Sequence, residues 1–198
     1  MTKKIVHDAL ILTAFTLVLG FVLGAVHEIT KDRIRASELA AEQAAYKAVF
    51  TDAADFKDYD SFDFETADIL ITENGYADTI KSVKQAEDAG GNLLGYVVNI
   101  VALDGSQGSI TMSVGIRLDR TVNGYSITDI SETPGLGDKA TQPGFYEQFQ
   151  NKLVDLFTVV KNPPAADNEI EAITGATITS RAVTNAVNAA LTYFDSIA

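Results

Sequence analysis

The sequence predicts an α+β protein: an antiparallel sheet with flanking helices, preceded by one N-terminal transmembrane helix. Three observations predict it. An uncharged apolar run fills residues 9–26. Short β-branched runs follow in the middle of the chain, punctuated by Gly, Asn and Asp. Near the end, Val183, Val187, Leu191 and Phe194 recur at helical spacing. The predicted organisation is a membrane anchor over residues 1–30, a helical and irregular connecting segment over 31–66, and a folded domain over 67–198.

The apolar run is about 18 residues, roughly 27 Å of helix, close to the hydrocarbon thickness of a bilayer. It is apolar all round, which suits lipid. A cleaved signal peptide is the rival reading, but the run is long and no Ala-x-Ala site follows it. A retained anchor with lipid around it is the expectation. Lys3 and Lys4 precede the run, and Lys31, Arg33 and Arg35 follow it, so basic residues alone leave the orientation open.

Residues 37–50 are Ala-rich and read as a helix, with Leu39, Ala44, Tyr46 and Val49 inward. Residues 51–66 are acidic and aromatic and read as irregular surface. Strands are expected at Ile69-Leu70-Ile71, at 79–84, at 93–103 after the turn signal Ala89-Gly90-Gly91-Asn92, at 109–118, and at 125–130. Turns are expected at 104–108 and 122–125. Short loops of this kind connect antiparallel strands. Residues 143–160 read as a helix with Phe145, Phe149, Leu153, Leu156 and Phe157 inward, ended by Asn162-Pro163-Pro164. Residues 168–173 read as extended, and 180–197 as the closing helix.

The composition excludes several chemistries. A net charge of −12 argues against nucleic acid as a partner. With no Cys there is no disulfide, no iron–sulfur cluster and no cysteinyl flavin link. His7 and His27, the only histidines, flank the apolar run. A His-based zinc site, a Ser-His-Asp triad and a histidyl flavin link in the soluble part are therefore excluded. No Gly-x-Gly-x-x-Gly follows a strand, so no dinucleotide site is evident. Electron chemistry here would need an organic cofactor held by oxygen and backbone groups.

Two stretches carry functional signal. Ile173-Thr174-Gly175-Ala176-Thr177-Ile178-Thr179-Ser180-Arg181 precedes the last helix. One reading is an N-cap, with Thr179 or Ser180 accepting backbone N–H bonds. The other is a phosphate seat, because a helix start offers unpaired donors and partial positive charge. The two can coexist. The second stretch is Glu132-Thr133-Pro134-Gly135-Leu136-Gly137. Pro134 fixes φ and Gly135 permits positive φ, which makes a tight turn. The same loop could set Leu136 and backbone N–H groups of Gly135 and Gly137 against a planar ring. Glu132 could bind that ring or cap a loop.

Glu171-Ala172-Ile173-Thr174-Gly175-Ala176-Thr177 resembles the flavinylation motif of the FMN-binding domain family, acid-x-x-Ser/Thr-Gly-Ala-Thr. Glu171 replaces the usual Asp. The loop from Glu132 to Gly137 resembles that of the G subunits of Rnf ferredoxin:NAD oxidoreductase complexes. The related C subunits of sodium-pumping NADH:quinone oxidoreductases are the second reading. A flavin-free, membrane-tethered binding or assembly domain is a third. The resemblance covers nearly the whole chain in order. It implies FMN bonded through its phosphate to Thr177, with Thr174, Gly175, Ala176, Ile178, Thr179, Glu132, Thr133, Gly135, Leu136 and Gly137 around it and no metal. It implies a separate flavin transferase that uses FAD and a divalent metal, and other membrane subunits as partners. It places the C-terminal domain outside the cytoplasm. One departure is the Gly105-Ser106-Gln107-Gly108-Ser109 turn, which in the family is richer in Gly and aromatic residues.

Overall fold

The computed structural model describes residues 2–198, with side chains from residue 3 onward. The chain divides into two units, Met1–Ala41 and Glu42–Ala198. The first belongs to one long helix, α1 (Thr2–Val49), which carries the apolar run. That helix is long and apolar enough to cross a membrane, and its apolar stretch is exposed to the surroundings. Thr13 and Thr16 return their hydroxyls to carbonyls one turn back, Ala9 and Leu12. No bare hydroxyl therefore faces outward from this stretch.

The second unit is built on a five-stranded antiparallel meander in the order β1-β2-β3-β4-β5. The strands are β1 (Asp55–Asp58), β2 (Thr79–Glu87), β3 (Leu93–Ala102), β4 (Ile110–Arg117) and β5 (Val122–Ile130). The expected strands at 79–84, 93–103, 109–118 and 125–130 all lie in this sheet. One face is covered by α4 (Thr177–Ile197), whose Val183, Val187, Leu191 and Phe194 pack on Tyr96, Val98, Ile100, Met112 and Val114. Ala182, Ala186, Ala189 and Ala190 widen the buried stripe and bring the helix close to the strands.

The other face takes the last turns of α1, through Tyr46, Val49 and Phe50. Two glycines make room for them. A methyl on Gly115 would lie 2.8 Å from Val49 Cβ, and one on Gly95 would lie 2.9 Å from Phe50 Cζ. Asn99 stands among these apolar groups with every polar atom satisfied. Its amide donates to Tyr46 Oη at 2.9 Å and Ser82 Oγ at 2.8 Å, and its oxygen accepts from Ser113 Oγ at 2.7 Å. Burial holds the Tyr46 hydroxyl up to about 12, so it stays neutral. Within residues 37–50 the helix is as expected, but Leu39 and Ala44 are exposed while Tyr46 and Val49 are buried.

Four expectations give way. Ile69-Leu70-Ile71 is not a strand but part of α2 (Phe64–Glu73). Asp63 caps that helix, accepting from Thr66 N at 2.8 Å, and Ala67 and Ile71 bury one face. A cap plus i, i+4 burial outweighs a three-residue β-branched run. Residues 51–66 are not wholly irregular, because β1 pairs with β2 there. The turn expected at 122–125 lies earlier. Arg120 adopts φ 72 and Asp119 accepts from Thr121 N at 3.0 Å. Gly124, at φ 128, instead makes a bulge within β5, beside a register shift at Gly115/Ile116.

The largest departure is at 143–160. Only α3 (Pro143–Tyr146) and a further tight turn to Phe149 are helical. Asn151 then takes φ 56, Lys152 bridges to Val122, and Thr158–Val160 becomes β6, paired in parallel with β7 (Glu169–Glu171). Phe145, Phe149 and Phe157 are buried as expected, but Leu153 and Leu156 are exposed. Asn188 of α4 fixes this path, accepting from Phe157 N at 2.8 Å and donating to Phe157 O at 2.9 Å. The Asn162-Pro163-Pro164 stretch therefore follows a strand, not a helix.

Candidate functional site

The antiparallel register sets up one end of the sheet. Thr79 opens β2 opposite Val101, Ala102 closes β3 opposite Ile110, and Ile110 opens β4 opposite Ile130. β5 thus delivers the chain to Ser131 and Glu132 at the end where the β3–β4 turn lies. Glu132 binds that turn. Its Oε1 accepts from Ser106 N at 2.6 Å and from Gln107 N at 3.3 Å. Of its two expected roles, the structure shows loop capping. Pro134 and Gly135 (φ 77) then reverse the chain, and Thr133 O accepts from Leu136 N at 3.1 Å.

The two stretches singled out in the sequence meet here. A methyl on Gly137 would lie 2.6 Å from Glu132 Oε2 and 2.8 Å from Thr179 Oγ1. A methyl on Gly175 would lie 3.2 Å from Leu136 Cδ2. Gly137 is therefore the contact point between loop and helix start, and no side chain fits there. Leu136 remains 41 % exposed and Ile178 58 % exposed, two apolar side chains left facing outward at this junction. Thr133 and Gly135 are exposed, and Gly137 is buried.

The helix start is local in origin. β7 ends at Glu171, whose backbone is gripped by Gln148. The Gln148 Oε1 accepts from Glu171 N at 2.7 Å and its Nε2 donates to Glu171 O at 3.3 Å. Gly175 at φ 81 turns the chain, and Ala176 N donates to Ile173 O at 2.9 Å. Ser180 Oγ locks the turn from within, accepting from Ile173 N and donating to Ala176 O, both at 2.9 Å. The chain then enters α4 at Thr177, three residues earlier than the sequence suggested.

This geometry bears on the two readings of the stretch. The cap position is Ala176, and no side chain caps the helix. Neither Thr179 nor Ser180 serves as an N-cap, so that expectation is corrected. Ala176 N is engaged with Ile173 and is not a free donor. The first N–H groups of α4, from Thr177 to Thr179, have no intrahelical acceptor. Thr177 is half-buried, and Thr174 and Gly175 are exposed. Thr179 is fully buried, and its Oγ1 has no partner among the described residues. Arg181 lies one turn beyond Thr177 on the same helix face. A cavity of about 230 Å³ adjoins Thr174, with Lys139, Gln142, Gln148 and Glu171 in its wall.

Sequence reasoning named Ser180 as a cap and not as the residue that locks the turn from within, and it missed Gln148. Ser180 had a signal, since it stands where the apolar stripe of α4 expects a core residue. Gln148 had none, because its partner is 23 residues away.

An uncapped helix start, a residue that only Gly can fill and an orphan buried hydroxyl fit a phosphate-bearing planar cofactor. The family model for the FMN-binding domain matches residues 105–192, and that for the RnfG N-terminal region matches residues 1–49. Residues 105–192 of the folded unit thus match an FMN-binding domain. The G subunit of the Na(+)-translocating ferredoxin:NAD(+) oxidoreductase complex of Acetobacterium woodii is 30% identical over 198 residues, covering 98% of this chain and 94% of that protein. The proton-translocating counterpart from Clostridium ljungdahlii is 32% identical over 180 residues, covering 91% and 86%. A crystal structure of the C subunit of the Na(+)-translocating NADH-quinone reductase from Parabacteroides distasonis aligns with a TM-score of 0.48 at 26% identity, over 67% of this chain and 66% of that one. The chain belongs to the family of G subunits of Rnf-type ion-translocating oxidoreductase complexes.

Proposed function

We propose that this chain is a single-pass membrane subunit that relays electrons within an Rnf-type complex, through FMN esterified to the Thr177 hydroxyl. The observation that carries the reading is the junction itself: Thr177 opens an uncapped helix directly beside the Glu132–Gly137 loop. FMN, when bound, supplies the one- and two-electron chemistry. The chain's own residues hold and orient it. The free N–H groups at the start of α4 and the Thr174 hydroxyl satisfy the phosphate, with Arg181 adding charge from one turn on. Leu136 and Ile178 give an apolar seat for the ring edge. The closed packing of Gly137 on Thr179 fixes the loop that carries Leu136. The unit has no His to activate Thr177, which accords with the separate flavin transferase that the family resemblance implies. A tether replaces dissociation with a fixed local concentration, which suits a domain outside the cytoplasm. The relatives named above are subunits of ferredoxin:NAD complexes, and this supports other membrane subunits as its redox partners.

Intact mass tests the assignment. Chain co-produced with a flavin transferase should gain one FMN minus water, mapped to the peptide containing Thr177. Thr177→Val should lose the gain completely and keep its unfolding midpoint. Fluorescent flavin surviving on that variant in a denaturing gel would sink the proposal.

A further inference from the structure

Asp78 stands immediately before β2 and is only 3 % exposed. Both of its carboxylate oxygens lack a partner among the described residues. A carboxylate taken from water with nothing to bind is among the costliest groups a fold can contain. Its surroundings are specific. Thr79 pairs with Val101, so the register continued outward sets Asp78 across from Ala102, two residues before Asp104. The charge that acts on Asp78 is that of Asp104, and it is repulsive. Asp104 is exposed, and its Oδ2 accepts from Asn185 Nδ2 of α4 at 3.1 Å. That bond leaves the amide oxygen of Asn185 as a further oxygen next to Asp104.

We propose that Asp78, Asp104 and Asn185 form a binding site for one hard metal cation, with Asp78 at its floor and Asp104 at its mouth. All the donors are oxygens, and residues 42–198 contain neither His nor Cys. That set selects calcium, sodium or magnesium over zinc or copper. Two carboxylates balance a divalent charge, and their irregular placement on a strand end, a loop and a helix suits the flexible shell of calcium better than strict octahedral magnesium. Water completes the coordination from the Asp104 side. A proton on Asp78 is the competing occupant. It would remove the charge but leave both oxygens without a hydrogen-bond partner, so a cation answers more of what the geometry asks. The site does not depend on flavin.

The test uses the full chain in detergent, chelated, at pH 8 in potassium buffer. Thermal unfolding is followed as calcium, sodium or magnesium chloride is added, against potassium chloride at matched ionic strength. A saturable rise in Tm of about 5–10 °C at a hundredfold excess over Kd is expected with calcium. Asp78→Asn and Asp104→Asn should each weaken the response at least tenfold. Should Asp78→Asn fail to fold, the more exposed Asp104→Asn and Asn185→Ala variants carry the comparison. The same rise with sodium or magnesium supports the site and names a different occupant. The proposal is overturned if no cation exceeds the potassium control, or if the rise survives in Asp104→Asn and Asn185→Ala.

Discussion

The two ends of the central sheet handle buried polarity in opposite ways. At the end where α1 finishes, polar groups are paired. Asn123 donates to Val49 O at 2.8 Å, Arg117 holds Asn123 at 2.8 Å and Asp52 at 2.9 Å, and Asp88 ties its own turn through Asn92. The Asn99 cluster between the strands is equally complete. At the end where α4 begins, the orphans collect: both oxygens of Asp78, one of Asp138, and the Thr179 hydroxyl. Buried polar groups without partners are rare in folded proteins and call for a reason. Their confinement to one end separates the part of the sheet that holds the fold together from the part where we propose that ligands bind.

Substitutions can break or sharpen that contrast. The largest effect is expected among the satisfied groups. Asn99→Ala removes the partner of Ser82 and Ser113 and one of the two bonds of the Tyr46 hydroxyl, and should lower unfolding free energy by about 3 kcal/mol in urea titration while flavin loading is unchanged. A loss of loading at full occupancy of the native state would erase the division. Asp78→Asn comes next and has the opposite sign. Burial first, and then Asp104, push the Asp78 carboxyl up to about 7. The folded chain therefore holds a proton that the unfolded chain has released between about pH 4 and 7. Stability contributed by that proton is complete below pH 4 and is lost as pH rises through 7. In chelated, sodium-free buffer, Asp78→Asn should gain up to about 3 kcal/mol at pH 8 and nothing at pH 4. A pH-independent difference between the two chains would remove Asp78 from the unsatisfied set. Gly137→Ala is the smallest in energy, about 1–2 kcal/mol from forcing loop and helix apart. It should slow transferase-dependent flavin loading, read by mass against time, while the end where α1 finishes stays protected in hydrogen exchange.

Most of the meander was legible because β-branched runs between Gly, Asn and Asp turns admit few alternatives. The α4 stripe was legible for the same reason, with Val183, Val187, Leu191 and Phe194 all buried. The failures share a cause. Residues 143–160 have helical spacing of Phe145, Phe149 and Phe157, and those residues are buried as that spacing implies. Their path is nevertheless set by Asn188, Val122 and β7, which lie far away in sequence. The Ile69-Leu70-Ile71 run was misread because a cap outside it, Asp63, decided its period. At the candidate site, the two stretches were visible as motifs, but their contact through Gly137 was not. Which residues make a cap was also hidden, since Thr179, Ser180 and Ala176 differ only in where the first turn begins.

The bare start of α4 has a consequence for engineering. Asp or Ser at position 176 is what the helix alone would choose, worth about 1 kcal/mol over Ala. A screen that rewards melting temperature would find that change. It would fill the donors that open α4, and an Asp would set a negative charge against the phosphate proposed for Thr177. Thermostability and cofactor loading would then diverge in the same clone, and a library scored on one alone would discard the other.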